Sequence, residues 1–453
     1  MFSYNLQLAI NSLKERMSLT VLTVVTIAIG LGLYTTVKTI GYQSSQIPLP
    51  HKSQNIYLVQ MDNREITAEN IDEPMEMVDF TYKDTINLME LAIPGVSQTF
   101  FWSTYGILNV EEQNITPIRT RGGVTSSVFF DLVEMPFVYG QGWDKAADQS
   151  GQAIIVISKL MNDQLFGGVN SVGQTVRIGT NMLTIAGVYD DWENTRKFYN
   201  RSYGTGRPDN YFIPYSYALN LNMPRSAVFD CWAENASISR SFRTKNKEQL
   251  LNSECAWITF WAEIPNDELL TQYKQQLNNY VASQKSLGRF PREIKTYVTN
   301  LDEQMAFINA NNGYIQTFSL IATLFFAVCL LNAIGIMLAK FMRKTKEVSL
   351  RRALGAKKFT IINQYILEVI IIGLIGGVLG ILVAYLGLEG MMRIRLYASD
   401  YTMRLEDIVH YYQLDTVMIF QAFITSVLCT LVVSIYPIWR LCNIPPASQL
   451  KSQ

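Results

Sequence analysis

Chemistry needs reactive side chains at fixed spacings, and this 453-residue chain offers few of them. Its five cysteines and two histidines form no CxxC, no HExxH and no histidine pair at helical spacing, so no metal site is expected. His51 and His410 stand alone and read as exposed loop residues. The glycine pairs Gly122-Gly123, Gly167-Gly168 and Gly376-Gly377 lack the lysine and the strand-to-helix setting of a phosphate cradle, and no GxxxxGK(S/T) occurs. No nucleophile–base pair or carboxylate dyad stands out. The chain is therefore expected to be no enzyme, to bind no cofactor of its own and to hydrolyse no ATP alone.

The charged residues are more informative. Between Lys340 and Lys358 lie eight basic residues and one acid, Glu347, and the segment closes on Leu354-Gly355-Ala356. That pattern fits a short helix on the inner membrane surface. Glu368 follows inside an otherwise uncharged run, about 10 Å along a helix that starts at Ile361. An ionisable group there is costly unless paired or wet, so it is either a functional element or an interfacial residue reaching water. Gly373/Gly377 and Gly376/Gly380 each make a GxxxG, which permits close helix approach within one subunit or across a dimer.

These residues must be carried by membrane helices. Four apolar runs, 19–37, 318–339, 361–388 and 417–435, are each long enough to cross roughly 30 Å of hydrocarbon. They predict spans at 18–40, 316–340, 360–388 and 417–436, the last stopped by Pro437. The segment before the first span, the 341–359 connection with Lys340, and the 437–453 tail hold twelve basic residues and two acids, whereas the whole chain has 38 of each. Basic residues mark the cytoplasmic side. Both termini are thus placed inside, with residues 41–315 and the 389–416 loop outside. In residues 1–17, Leu6, Ile10, Leu13 and Met17 recur at helical spacing, which reads as an amphipathic helix on the inner leaflet or as an extension of the first span.

The outer segment predicts an α+β domain. Strand-like 55–61 and 96–102 flank a helix-like 81–91, and the order recurs at 256–264, 267–283 and 293–298. Two strand–helix–strand halves, about 53–102 and 251–310, point to a split ferredoxin-like module around a mainly β insertion at about 103–250. The stretch 191–243 is rich in Tyr, Asn and Arg and reads as a solvated loop or a partner surface. Cys231 and Cys255 both fall outside, where a disulfide is permitted but not implied by spacing.

The run Glu347-Val348-Ser349-Leu350-Arg351-Arg352-Ala353-Leu354-Gly355-Ala356, then Glu368, then Gly373 to Gly380, resembles the signature of the MacB/FtsX-type ABC transporter permeases. Leu8 to Leu13, Ile154 to Gly167 and Tyr436 to Ala447 are similar to other parts of that family in the right order. The resemblance implies a four-span permease subunit in the bacterial inner membrane, working as a dimer with a second or homologous permease. It also implies a separate ABC-type ATPase carrying ATP and Mg, on which 341–359 docks through Glu347, Arg351, Arg352, Leu354 and Gly355. The other reading of those charges is topology and anionic lipid headgroups.

Within the family, export with a periplasmic adaptor and an outer-membrane duct is the leading expectation. Lipoprotein extraction, envelope regulation and antimicrobial-peptide sensing are the alternatives. The expected partners are the ATPase, the permease copy, the adaptor and duct, and the bilayer, with no nucleic acid.

Overall fold

The computed structural model describes residues 2–15, 17–64, 79–110, 116–190, 197–200, 209–221, 223, 225–226, 231, 247–310, 313–398 and 405–443. The chain divides into two compact units, 1–44 with 312–453, and 45–311. The 444–447 motif and most of the 191–243 stretch lie outside the described residues.

In the first unit a helix Phe2–Glu15 precedes four helices long and apolar enough to cross a membrane: Met17–Ser45, Gly313–Met342, Lys358–Ala398 and Thr416–Asn443. They are called spans one to four. Three of the expected limits are too short. The third helix has 41 residues, about 60 Å at 1.5 Å per residue, and its last turns lie in the predicted outer loop. An Arg393 Nε–Glu389 Oε1 hydrogen bond of 2.8 Å at i,i+4 spacing supports that polar extension. The first helix runs on to Ser45. Pro437 does not stop the fourth, which continues to Asn443. Proline deletes one backbone donor, and in a buried span the neighbouring helices hold the flanks. The short helix Thr345–Ala353 joins spans two and three and ends at Gly355, whose φ of +99° suits glycine.

The amphipathic stripe differs from expectation. The side chains of Ile10 and Met17 are exposed, while Ala9 and Ser12 face the protein. Leu13 of the same stripe is half-buried against the core at the inner ends of the spans, so the stripe is split between the two sides of the helix, and a hydroxyl lies on the inward face.

The second unit is an α+β domain whose described residues form one eleven-stranded sheet. Its strands are β1 (Ile56–Met61), β2 (Ser97–Asn109), β3 (Ile118–Thr125), β4 (Phe137–Gly140), β5 (Ile154–Ser158) and β6 (Thr175–Ile178). The rest are β7 (Asn181–Tyr189), β8 (Tyr211–Pro214), β9 (Arg225–Ser226), β10 (Thr259–Glu263) and β11 (Thr296–Asn300). The order β11-β1-β10-β2, antiparallel throughout, is the ferredoxin-like arrangement assembled from both ends of the domain. The insertion is not a separate layer. β2 is a single 13-residue strand that pairs with β10 through its first residues and with β3 through the rest, so the expected boundary at 102/103 falls inside it. Gly122 and Gly123 sit in β3 because the Tyr211 ring and the Phe101 ring fill the space a Cβ would need, 2.3 and 2.4 Å away.

Local chemistry explains the helices of the module. Helix Asp267–Ser286 starts on Asn266, whose side chain accepts from the Leu269 N–H, with Asp267 and Glu268 in its first turn and Lys285 in its last. Helix Tyr82–Glu90 starts on Thr81, which caps the Asp84 N–H. The Asp84 carboxylate also accepts from Tyr280 at 2.7 Å and from both Arg289 terminal nitrogens at 2.8 and 2.9 Å, fastening the two halves together. Burial alone would raise the Asp62 carboxyl, but Arg64, bonded at 2.7 and 2.8 Å, and Arg292 outweigh it and hold it below the usual carboxylate range.

Cys231 and Cys255 form a disulfide, 24 residues apart in sequence. Replacing both by serine should lower the stability of this unit by about 3 kcal/mol through the entropy of the opened loop. The check is thermal unfolding followed by intrinsic fluorescence, where an unchanged midpoint would assign the bond no stabilising role.

Candidate functional site: the coupling helix and a buried charge cluster

The inner ends of the spans carry the charged residues singled out in the sequence. Lys340, near the end of span two, and Glu368, in span three, have no exposed surface, and Lys340 Nζ lies 2.6 Å from Glu368 Oε1. Lys340 Nζ also donates to Thr20 Oγ1 of span one at 2.8 Å. Glu368 Oε2 accepts from Ser12 Oγ at 2.6 Å, and Ser12 in turn accepts from Lys344 Nζ. Lys344 is nearly buried and lies 3.2 Å from the exposed Glu15.

Lys340 is thus not one of the free cytoplasmic charges it resembles in sequence. It neutralises Glu368 in the interior, where an unpaired carboxylate would cost several kcal/mol. Ser12, Thr20 and Lys344 are the members of this cluster that sequence reasoning missed, since nothing in a local pattern links positions more than 300 residues apart.

The helix Thr345–Ala353 is braced from behind. Arg351 Nη1 donates to Gln364 Oε1 at 3.0 Å and its Nη2 pairs with Glu347. Arg352 Nη1 donates to the Cys442 carbonyl at 2.9 Å. Both arginines are half-buried, and their planar forks are engaged within the chain. Three large apolar side chains are exposed here: Leu350 at 52%, Leu354 just past the helix at 79% and, in the first turn of span three, Phe359 at 71%. Glu347 and Gly355 are exposed beside them.

The four glycines divide between two neighbours. A Cβ on Gly373 or Gly377 would meet Val427 and Thr430, or Ser426, of span four, and Ser426 Oγ donates to the Gly373 carbonyl at 2.7 Å. A Cβ on Gly376 or Gly380 would meet Ile27 or Leu31 of span one. The two GxxxG faces therefore pack one helix between two others of the same chain. Among the described residues no group of His, Cys, Asp and Glu could hold a metal ion.

A family model of the MacB-like periplasmic core domain matches residues 20–279, and one of the FtsX-like permease C-terminal region matches residues 319–446. The chain belongs to the MacB/FtsX-type ABC transporter permeases. Its relatives include the macrolide export ATP-binding/permease protein MacB of Acinetobacter baylyi, 24% identical over 335 residues, covering 74% of this chain and 42% of that protein. The MacB of Escherichia coli K12 is 21% identical over 402 residues, covering 85% of this chain and 52% of that protein. This permease spans about half the length, or less, of the curated relatives it matches.

Among solved structures, the periplasmic region of MacB from Actinobacillus actinomycetemcomitans aligns at 15% identity and a TM-score of 0.35, covering 58% of this chain and 95% of that one. The extracellular domain of the ABC-type transporter YknZ from Gram-positive bacteria aligns at 15% and 0.32, covering 54% and 100%. The match to the permease regions makes this a multi-pass membrane protein with an extracytoplasmic domain.

Proposed function

We propose that this chain is the non-catalytic permease subunit of an inner-membrane ABC machine that drives export or mechanotransmission across the periplasm. A partner ATPase, carrying ATP and Mg, docks on the Thr345–Ala353 helix, and its closure moves the spans and the outer domain. Two copies of the permease, or this chain and a homologue, form the membrane part. A periplasmic adaptor and an outer-membrane duct complete the path, as the relatives' description as macrolide exporters favours.

The observation that carries the reading is the braced coupling helix with an exposed apolar tip. Leu350, Leu354 and Phe359 are held outward by a charged back side, which topology alone does not require. An apolar patch rimmed by charge is the usual form of a protein docking surface. Both termini then lie in the cytoplasm, following the distribution of basic residues.

The test is purification from the native membrane. The chain by itself should turn over no ATP, and activity should appear with a co-purifying ATP-binding partner. Labelling of single cysteines should reach the outer unit from the periplasm and residue 354 from the cytoplasm. Turnover by the isolated polypeptide, or a periplasmic residue 354, would overturn the reading.

A further inference from the structure

The helix Phe2–Glu15 has no task in the mechanism above, yet its inward face is anchored by polar bonds. Ser12 is buried there, donating to Glu368 Oε2 at 2.6 Å and accepting from Lys344 Nζ. Lys344 is the residue immediately before the coupling helix, and its ammonium also faces Glu15 of the same N-terminal helix at 3.2 Å. Glu368 belongs to span three and is clamped by Lys340 at the end of span two. One hydroxyl therefore joins the N-terminal helix to two elements on either side of the coupling helix.

A helix serving only as a membrane anchor needs no such group, because its outward Ile10 supplies contact with lipid. Hydrogen bonds to charged groups are strong and directional, and they weaken steeply when the partners shift or tilt. A movement of Lys344 relative to Glu368 is thus felt first at Ser12.

We propose that Ser12 is a positioning residue that latches the N-terminal helix to the coupling machinery. The latch is closed in the state described here, and a shift of the coupling helix against span three opens it. The helix Phe2–Glu15 is then a moving part of the transmission. The latch itself follows from geometry, whereas its opening by nucleotide rests on the permease reading.

The experiment is hydrogen exchange, read by mass spectrometry, on the full chain in lipid nanodiscs. Loss of a hydrogen bond to a charged partner predicts roughly tenfold faster exchange in the 2–15 segment for Ser12→Ala. Ser12→Thr, which keeps the hydroxyl, should behave as the parent. Unchanged exchange in Ser12→Ala overturns the latch, with or without an ATPase present.

In the second arm the co-purified ATPase is loaded with a non-hydrolysable ATP analogue. The parent and Ser12→Thr should show faster exchange of the 2–15 segment on nucleotide binding, and Ser12→Ala should show no further change. A parent helix indifferent to nucleotide overturns the role in transmission. Failure to find any ATPase would count against the permease reading alone, since the first arm decides the latch independently.

Discussion

Lys340→Met should lower the thermal midpoint of the membrane unit by roughly 10 °C, while Lys340→Met combined with Glu368→Met should leave it near or above the parent. Removing one partner of a buried ion pair leaves the other charge uncompensated and costs about 3–5 kcal/mol, whereas replacing both by apolar groups is often neutral or stabilising. For a unit of this size, 1 kcal/mol corresponds to about 2–4 °C.

Lys340 and Glu368 suit this comparison because neither has exposed surface and they meet at 2.6 Å. In the single variant Glu368 keeps only the Ser12 hydroxyl at 2.6 Å, too little to compensate a buried carboxylate. Unfolding in nanodiscs, followed by near-ultraviolet circular dichroism, reads the difference. Equal loss in the single and double variants would show that lysine packing, not charge, holds the inner ends together.

Leu350→Asp with Leu354→Asp should abolish recovery of the ATPase with the permease while leaving the permease folded. Burying two leucines at an interface is worth about 1.5–3 kcal/mol each, and aspartate in their place adds desolvation, so affinity should fall at least a hundredfold. Both side chains are exposed, so little stability should be lost. Arg351→Glu with Arg352→Glu gives a different pattern. It breaks the bonds to Gln364 and to the Cys442 carbonyl, so it should destabilise the inner end of the spans as well as docking. Pull-down from the correctly inserted fraction, paired with a melting curve for each variant, separates the two. Full ATPase recovery and normal transport in the leucine variant would sink the docking surface.

The arginines that tether the short helix and the leucines proposed to meet a partner are thus different residues, although they lie within five positions of one another, Leu350 to Leu354. The family resemblance singled out Glu347, Leu354 and Gly355 together with the two arginines, and did not include Leu350. The three-dimensional arrangement shifts attention to the leucines, because the arginines already have partners.

What the sequence determined by itself was local. Four apolar runs set the spans, basic residues between them set the expected sides, and period-two and period-3.6 patterns located β1, β2, β10, β11 and the two helices of the ferredoxin-like module. Those signals depend only on neighbours in the chain, so they survive without tertiary information. The 347–356 motif, with Glu368, the glycines from 373 to 380 and three further segments in the right order, carried the resemblance to the family.

What only the tertiary structure decided was partnership. Ser12 and Glu368 are 356 residues apart, β2 continues past its expected end because β3 lies alongside it, and span four passes through Pro437 within packed helices. Lys340 looks like its basic neighbours in sequence, and it becomes a buried counter-ion only because span three places Glu368 beside it. The cost of an unpaired charge in a non-polar interior selects that pairing, and such a cost depends on every group around the site rather than on any stretch of chain.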